Sequence, residues 1–300
     1  MLPQAGAIQK IQEDKSIRTV FLQGLVASAA PMFFASIAER WKTTTIFVLN
    51  DNDEAGYFYN DLKTIAMPAD GEGKVADVLF FPSSYRRAVK YGQRDAGNEI
   101  LRTEVLTRLS ALASETDNAL PLYIVTEPSA LSELVVSKKQ LDERRLTLTV
   151  DQHIDIVEVE KTLRSFGFTE TDYVYEPGQF AVRGSIIDVY SFSNELPFRI
   201  DFFGDDIETI RNFEVETQLS TEKLTRVEIV PELATMSEEK VPFLQFLPED
   251  AVLAFKDFLY VRDAIDNIYQ EGFAYQALTE KLEGKTELEQ RELEVAFRKE

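Results

Sequence analysis

The sequence predicts an α/β fold in which a parallel sheet flanked by helices is joined to a smaller α+β domain. Residues 18–126 alternate short apolar segments with amphipathic helical segments, a pattern typical of a parallel sheet. Residues 146–230 instead contain closely spaced strand patterns and one helical stripe, which is typical of an α+β domain. With 300 residues, of which 44% are hydrophobic, the chain is long enough for two or three such domains.

The first predicted domain spans residues 1–140. Apolar residues at helical spacing indicate its helices, and Asp51 is expected to cap the second of them. Short apolar runs indicate its strands. The predicted strands are 18–25, 44–49, 78–81 and 122–126, and the predicted helices are 28–41, 54–64 and 99–114.

The second predicted domain spans residues 141–228, and the third spans residues 229–300. The second is predicted to contain a strand at 146–150, a helix that ends at Gly167, two strands joined by a turn and a third strand within 175–213, and a strand at 226–230. The third is predicted to be part of a further α/β domain, with a strand at 251–255 and a charged helical stretch at 284–300. We expect the chain to be a piece of a longer protein.

Composition limits the classes of function. The net charge is −20, and residues 141–228 carry 19 Asp and Glu against 9 Lys and Arg. Because DNA binding normally requires basic residues that neutralise phosphates, nucleic acid is not expected to be the main partner. The chain has no cysteine, which excludes disulfides and thiolate metal sites. It has no apolar run of the roughly 20 residues that span a bilayer and no apparent signal segment, so we expect a cytoplasmic protein without a membrane partner.

A candidate binding surface lies on the segment 198–203. Its side chains alternate, so that Phe198, Ile200 and Phe202 share one face of a strand, and Arg199, Asp201 and Phe203 share the other. Arginine and an aromatic ring on the face away from the core are typical of a protein-binding hot spot, and Arg183 on the preceding strand is expected near them. The alternative is that Phe203 packs under a helix and the arginines are solvated.

The same residues carry a resemblance to a known family. The segments 178–188 (GQFAVRGSIID) and 199–208 (RIDFFGDDIE), followed by Ile210 and Arg211, strongly resemble the UvrB-like module. This module is shared by the nucleotide-excision-repair protein UvrB and the transcription-repair coupling factor Mfd. Weaker similarity extends over nearly the whole chain.

The resemblance implies both a fold and a partner. It implies a degenerate RecA/P-loop-like domain at residues 1–140, an inserted α+β domain at residues 141–228 that binds UvrA, and residues 229–300 completing the module. Arg183, Arg199 and Phe203 match the positions at which the family contacts UvrA. The expected function is recruitment: the chain would offer UvrA the surface that UvrB offers, and so link stalled RNA polymerase to nucleotide excision repair.

In this family the turn between the first strand and helix can be a phosphate-binding P-loop. Such a loop requires glycines for close backbone approach, a lysine for the phosphates and a hydroxyl group for magnesium. Gly24 fits this pattern, but Ala27 and Ala29 replace later glycines, Ala30 replaces the lysine, and Pro31 replaces the hydroxyl residue. We therefore expect no ATP hydrolysis and no cofactor in this chain, whereas the full-length parent is expected to be an ATP-dependent DNA translocase.

A second family feature separates UvrB from the coupling factors. UvrB carries a long aromatic hairpin after the strand that matches residues 78–81, and the corresponding segment 83–94 is too short to form it. The resemblance therefore favours the coupling factor. The segment contains a basic cluster, which is either a solvated loop or a contact for a phosphate or an acidic partner. The cluster consists of Arg86, Arg87, Lys90 and Arg94.

Other chemistries find little support in the sequence. His153 is the single histidine and has no evident catalytic company, so a structural or solvated role is expected. Asp205, Asp206 and Glu208 do not have the spacing of a cation-binding loop and fit a turn in which Gly204 supplies backbone freedom.

The resemblance also implies that the parent's own C-terminal region can mask the UvrA-binding face. RNA polymerase and DNA would be engaged only through parts of the parent outside this chain. The competing hypotheses are a UvrB-type, ATP-dependent DNA-damage-binding protein and a purely structural domain.

Overall fold

The computed structural model describes residues 14, 16–67, 75–84, 96–112, 120–233, 239–272, 286, 289 and 291. They belong to two compact units. The first is formed by segments within 1–81, 114–130 and 247–274, and the second by segments within 82–113, 131–246 and 275–300. The domain boundaries after residues 140 and 228 remain a prediction.

The first unit contains a four-stranded parallel sheet, in agreement with the predicted α/β class. Its strand order is β14-β1-β3-β2, so a strand from the last third of the chain pairs with the first strand. The strands are β1 (Thr45–Val48), β2 (Asp77–Phe81), β3 (Leu122–Thr126) and β14 (Val252–Phe255). The helices are α1 (Ala29–Ile37), α2 (Asn52–Ala66), α4 (Pro128–Ser132), which begins in this unit, and α7 (Phe258–Gly272).

Aromatic side chains form much of the core of this unit. The Phe47 ring contacts Phe34 and Tyr123 edge to face, with centroids 4.6 and 5.5 Å apart. The buried Tyr123 hydroxyl donates a hydrogen bond to the Phe34 carbonyl at 3.1 Å, which satisfies its polar end. Asp51 caps α2 as predicted, because its carboxylate accepts the Glu54 amide at 2.9 Å.

The strand predicted at residues 18–25 is wrong. This segment forms no strand, and Phe21 within it is exposed. β1 is flanked by β3 on one side and by β14 on the other, so neither edge of that strand remains for an upstream segment. A short apolar run becomes a strand only when a neighbouring strand pairs with its backbone N–H and C=O groups.

The second unit contains a six-stranded sheet with the order β11-β10-β9-β8-β7-β6. Two small two-stranded sheets accompany it, β12 with β5 and β13 with β4. Its helices are α3 (Ala96–Ala111), α5 (Lys138–Glu143) and α6 (Ile156–Ser165), with a short 3-10 helix at Phe243–Phe246. The outer strands of these sheets are β4 (Leu134–Val136), β5 (Leu146–Thr149), β6 (Thr169–Glu170), β11 (Ser220–Leu224), β12 (Arg226–Ile229) and β13 (Lys240–Pro242).

The central strands correct the prediction for residues 175–213. That segment forms four strands, which are β7 (Gln179–Arg183), β8 (Ile186–Val189), β9 (Phe198–Phe203) and β10 (Asp206–Phe213). They make two antiparallel hairpins with tight turns at Gly184 and Gly204, whose φ angles are 64° and 63°. Only glycine adopts such angles without cost, so both turns depend on it.

Helix α6 closes one face of this sheet. Its buried Val159 and Leu163 belong to the same core cluster as Phe198 and Ile200 of β9. The helix ends as predicted, with Gly167 at a φ of 82°. The face covered by α6 is called the inner face below, and the opposite face is called the outer face.

Candidate partner-binding surface

The alternation predicted for residues 198–203 is present in β9. Phe198, Ile200 and Phe202 are buried on the inner face, whereas the Phe203 ring on the outer face is 78% exposed. Phe203 is the last residue of the strand, immediately before the Gly204 turn. An exposed phenylalanine at a fixed strand end is not explained by core packing.

A buried carboxylate organises the outer face behind Phe203. Asp188 on β8 is fully buried and pairs directly with Arg199 on β9. The Arg199 guanidinium donates to both carboxylate oxygens, from Nε to Oδ1 at 2.7 Å and from Nη2 to Oδ2 at 2.9 Å. Arg183 on β7 donates to the same Oδ2 atom from the other side. One aspartate therefore holds both arginines that were predicted from the sequence.

A second carboxylate, that of Asp201, links β9 to the neighbouring strand β10 in a similar way. Asp201 on β9 accepts hydrogen bonds from the Thr209 hydroxyl at 2.6 Å and from the Arg211 guanidinium. Both donors lie on β10, opposite β9 in the antiparallel register. The outer face thus consists of cross-strand rows in which each buried or half-buried carboxylate is neutralised by arginine.

Aromatic rings support both predicted arginines. The Arg199 guanidinium carbon lies 4.6 Å from the centroid of the Phe213 ring, and that of Arg183 lies 5.2 Å from the centroid of the Tyr173 ring. Arg199 also donates to the Gln218 carbonyl at 3.0 Å. These are cation–π contacts of ordinary geometry, and they fix the planes of both guanidinium groups.

The two arginines differ in how much they offer to a partner. The Arg199 side chain is only 14% exposed, and its hydrogen bond with Asp188 raises the pKa of the guanidinium further above its ordinary value. The Arg183 side chain is 34% exposed. The structure thus brings the three predicted residues onto one face, with Phe203 and Arg183 accessible and Arg199 largely enclosed.

A feature of this surface that the sequence did not reveal is the position of His153. It forms an isolated antiparallel bridge with Asp206, and its Nδ1 atom lies 2.9 Å from the Asp206 Oδ1 atom. This hydrogen bond, followed by the charges of Asp206 and Asp205, raises the pKa of the His153 imidazole. The two partners lie 53 residues apart, and no local motif in the sequence indicates that they pair.

The segment predicted as a degenerate nucleotide site, residues 24–31, forms a loop followed by the first residues of α1. Gly24 and Ala27 have φ angles of 88° and 49° in the loop before α1, and Ala29 and Ala30 are the first two residues of the helix. Pro31 follows them and is buried. A methyl group at position 30 cannot contact a phosphate as a lysine ammonium does, and Pro31 has no N–H to donate.

Several further predictions can be placed or set aside. The basic cluster at residues 86–94 lies outside the described residues, as does nearly all of the tail at 284–300. Asp205 occupies the β9–β10 turn, as predicted for the acidic residues near Gly204.

Among the described residues, no group of three or more His, Asp or Glu side chains is arranged to hold a metal ion. In that same part of the chain, every helix is too short or too polar to cross a membrane.

Comparison with known proteins finds a family match within the second unit. Residues 146–234 match the family model of the UvrB interaction domain. The chain is 25% identical over 228 residues to a transcription-repair-coupling factor of Bacillus subtilis, which covers 75% of this chain and 18% of the relative. It is 30% identical over 157 residues to the Staphylococcus aureus factor, which covers 52% of this chain and 13% of the relative.

A UvrB protein is similar over a comparable stretch. UvrABC system protein B of Thermosipho africanus is 26% identical over 249 residues, which covers 79% of this chain and 36% of that protein. The chain spans less than a fifth of the length of the coupling factors it matches. Residues 146–234 are therefore a UvrB interaction domain, and the chain around them is similar to transcription-repair-coupling factors and to UvrB over about three quarters of its length.

Proposed function

We propose that the UvrB interaction domain of this chain binds UvrA through the outer face of its six-stranded sheet. The observation that carries the proposal is Phe203, whose ring is 78% exposed on the same face of the sheet as two arginines that the domain itself holds in place. Aromatic and arginine side chains at the centre of an interface supply most of its binding energy. Phe203 would fill an apolar pocket of UvrA, and Arg183 would pair with an acidic group beside that pocket.

The carboxylate network supports this role because it preorganises the surface. Asp188 and Asp201 hold three arginine side chains in one orientation before any partner arrives. A side chain that is already ordered loses less conformational entropy on binding. Arg199, which is mostly enclosed, would act chiefly by holding Asp188, and through it Arg183, in position.

At the level of the whole protein, the proposed activity is recruitment by mimicry. Similarity to both UvrB and the coupling factors supports the idea that this chain presents to UvrA the surface that UvrB presents. The link to stalled RNA polymerase, and any masking of this surface, would require parts of the parent protein beyond this chain. The methyl group of Ala30 and the missing N–H of Pro31 support a role without nucleotide hydrolysis.

The experiment that tests the proposal is calorimetric titration of the chain with UvrA. The Phe203→Ala and Arg183→Ala variants are compared with Phe258→Ala, which removes a phenylalanine that is 57% exposed from α7 in the other unit. Phe203→Ala is expected to cost about 2–4 kcal/mol of binding free energy, the cost typical of a hot-spot residue. Equal affinity of the Phe203→Ala and Phe258→Ala variants would overturn the proposal.

The alternative function is a UvrB-type, ATP-dependent DNA-damage-binding protein. It is favoured by the match to UvrABC system protein B, which extends over 79% of this chain. Titration with ATP and magnesium separates the two functions, because the alternative requires saturable nucleotide binding and the recruitment role does not.

A further inference from the structure

Three side chains from three separate segments form one cross-strand row at the rim of the outer face. Phe203 pairs with Asp206 across the β9–β10 turn, and Asp206 pairs with His153 on its other side. Directly paired residues of antiparallel strands project to the same face. The Asp206 and His153 side chains are 62% and 77% exposed, so the row is accessible along its whole length.

Backbone hydrogen bonds fix the row in place. The Ile154 amide donates to the Asp205 carbonyl at 2.7 Å, and the Ile207 amide donates to the Gln152 carbonyl at 3.0 Å. The segment that carries His153 is therefore tied to the β9–β10 hairpin on both sides of the His153–Asp206 bridge. These backbone hydrogen bonds position the His153 imidazole next to Asp206.

The charges around Phe203 are divided between two sides. On the side toward β7 lies the positively charged Arg183, which forms an ion pair with the Asp188 carboxylate. At the turn lie the exposed acids Asp205 and Asp206, and the exposed Glu208 follows at a register shift in β10. An acidic group on the partner would complement Arg183, whereas a basic group would complement Asp205 and Asp206 at the turn.

We propose that Asp206 is a further specificity-determining residue of this surface, which receives a basic side chain at the edge of the pocket that takes Phe203, and that His153 competes with the partner for Asp206. The inference rests on the proposed function and extends it to the chemistry of the partner. It predicts that the UvrA surface is acidic opposite Arg183 and basic opposite the β9–β10 turn.

The competition makes binding depend on pH. When His153 is protonated, its imidazolium neutralises the Asp206 carboxylate and the partner's basic group gains little. When His153 loses its proton, the imidazole no longer carries a positive charge that offsets the Asp206 carboxylate, so the full negative charge of Asp206 is available to the partner's basic group. The charged groups that act on His153 are Asp206 and Asp205, both from the turn that packs against it. Affinity for UvrA is therefore expected to rise as the pH rises through the pKa of His153.

The test is a titration of the full chain with UvrA between pH 6 and pH 8.5. Asp206→Asn is expected to weaken binding about 2–5-fold at pH 8.5, the range an exposed ion pair gives, and less at pH 6. His153→Gln is expected to flatten the pH dependence. The matched control is Glu158→Gln, which removes the same charge from α6 on the inner side of the sheet and is expected to change nothing.

The outcomes separate this inference from the function on which it rests. If Phe203→Ala weakens binding as expected while Asp206→Asn behaves like Glu158→Gln or binds more tightly, the role of Asp206 is overturned and the proposed function stands. If the unmodified chain does not bind UvrA, or Phe203→Ala binds as well as the unmodified chain, both are overturned.

A second measurement tests the competition without UvrA. The chain has one histidine, so its imidazole resonance in an NMR titration needs no assignment. The pKa of His153 is expected to fall in Asp206→Asn. Identical titration curves for the two proteins would overturn the competition, whatever the binding data show.

Discussion

Asp188 and Arg199 face each other directly across strands β8 and β9 and form a two-pronged ion pair whose carboxylate is fully buried. The pair lies on the outer face of the sheet, where a surface salt bridge would normally be solvated. Its burial means that removing Asp188 leaves both arginines without their carboxylate, and removing Arg199 leaves the buried carboxylate with Arg183 as its remaining arginine partner. Either change is costly in a protein interior. The same pair supports the fold of the domain and orients its proposed interface.

Arg199→Ala is expected to lower the free energy of unfolding by about 2–4 kcal/mol. This is somewhat below the loss for a buried charge left with no partner, because Arg183 remains bonded to Asp188. Urea-induced unfolding measures the change. Arg226→Ala serves as the control, since Arg226 is 57% exposed and Glu228 keeps its ion pair with Arg145 when Arg226 is removed, so the change should cost less than about 1 kcal/mol. Equal unfolding midpoints for the two variants would contradict the structural role of Arg199.

Arg183→Ala is expected to separate binding from stability. Its side chain is more exposed than that of Arg199, and Asp188 keeps its two-pronged bond to Arg199 when Arg183 is removed. The unfolding free energy should therefore change by about 1 kcal/mol or less, while UvrA binding weakens measurably. Parallel urea unfolding and calorimetry on this one variant test the prediction. A large loss of stability with unchanged affinity would reverse the roles assigned to the two arginines.

Gly204→Ala is expected to destabilise the chain by about 1–2 kcal/mol, because a Cβ atom strains the left-handed conformation that residue 204 adopts. No atom lies within 4 Å of the added Cβ, so the cost comes from the backbone alone. Gly56→Ala in α2 is the opposite case: its Cβ also meets open space, but the backbone is helical. It is expected to stabilise by about 0.5–1 kcal/mol. Thermal unfolding of both variants shows whether the signs differ as expected.

The His153–Asp206 pair is expected to make stability depend on pH. The pKa of His153 is raised in the folded protein. The pair with protonated His153 therefore stabilises the fold fully at pH values below the pKa that His153 has in the unfolded chain. This contribution is lost as the pH rises through the folded pKa. The difference in melting temperature between the unmodified chain and His153→Gln should therefore be larger at pH 5.5 than at pH 8.5. A difference that grows with pH would contradict the pairing.

Local patterns predicted the elements whose residues bury one face. The stripe on α6 and the alternation in β9 were both predicted correctly, because burial of one face leaves a period in the sequence. β11 was missed because its residues are nearly all exposed and carry no such period. Residues 18–25 show the converse, since they contain the apolar run 20–22 but pair with no strand in the part of the chain that the structure describes.

The candidate site was predictable in part for a related reason. The residue types at positions 183, 199 and 203 indicated a binding surface, and the strand period placed Phe203 on the exposed face. The enclosure of Arg199 by Asp188 was not predictable, because it depends on the register between two strands and not on either strand alone. The same holds for His153 and Asp206, which only the folded sheet brings together.

The pairing of β14 with β1 also determines the order in which the chain can fold during synthesis. Val252 aligns with Thr45 and Phe255 with Val48, so the sheet of the first unit cannot be completed until residues up to 255 have left the ribosome. At typical rates of protein synthesis the intervening segment takes about 10–40 s to synthesise. The hairpins of the second unit pair strands close in sequence and can form during that interval. The chain order therefore allows the proposed binding surface to assemble before the sheet of the first unit is complete.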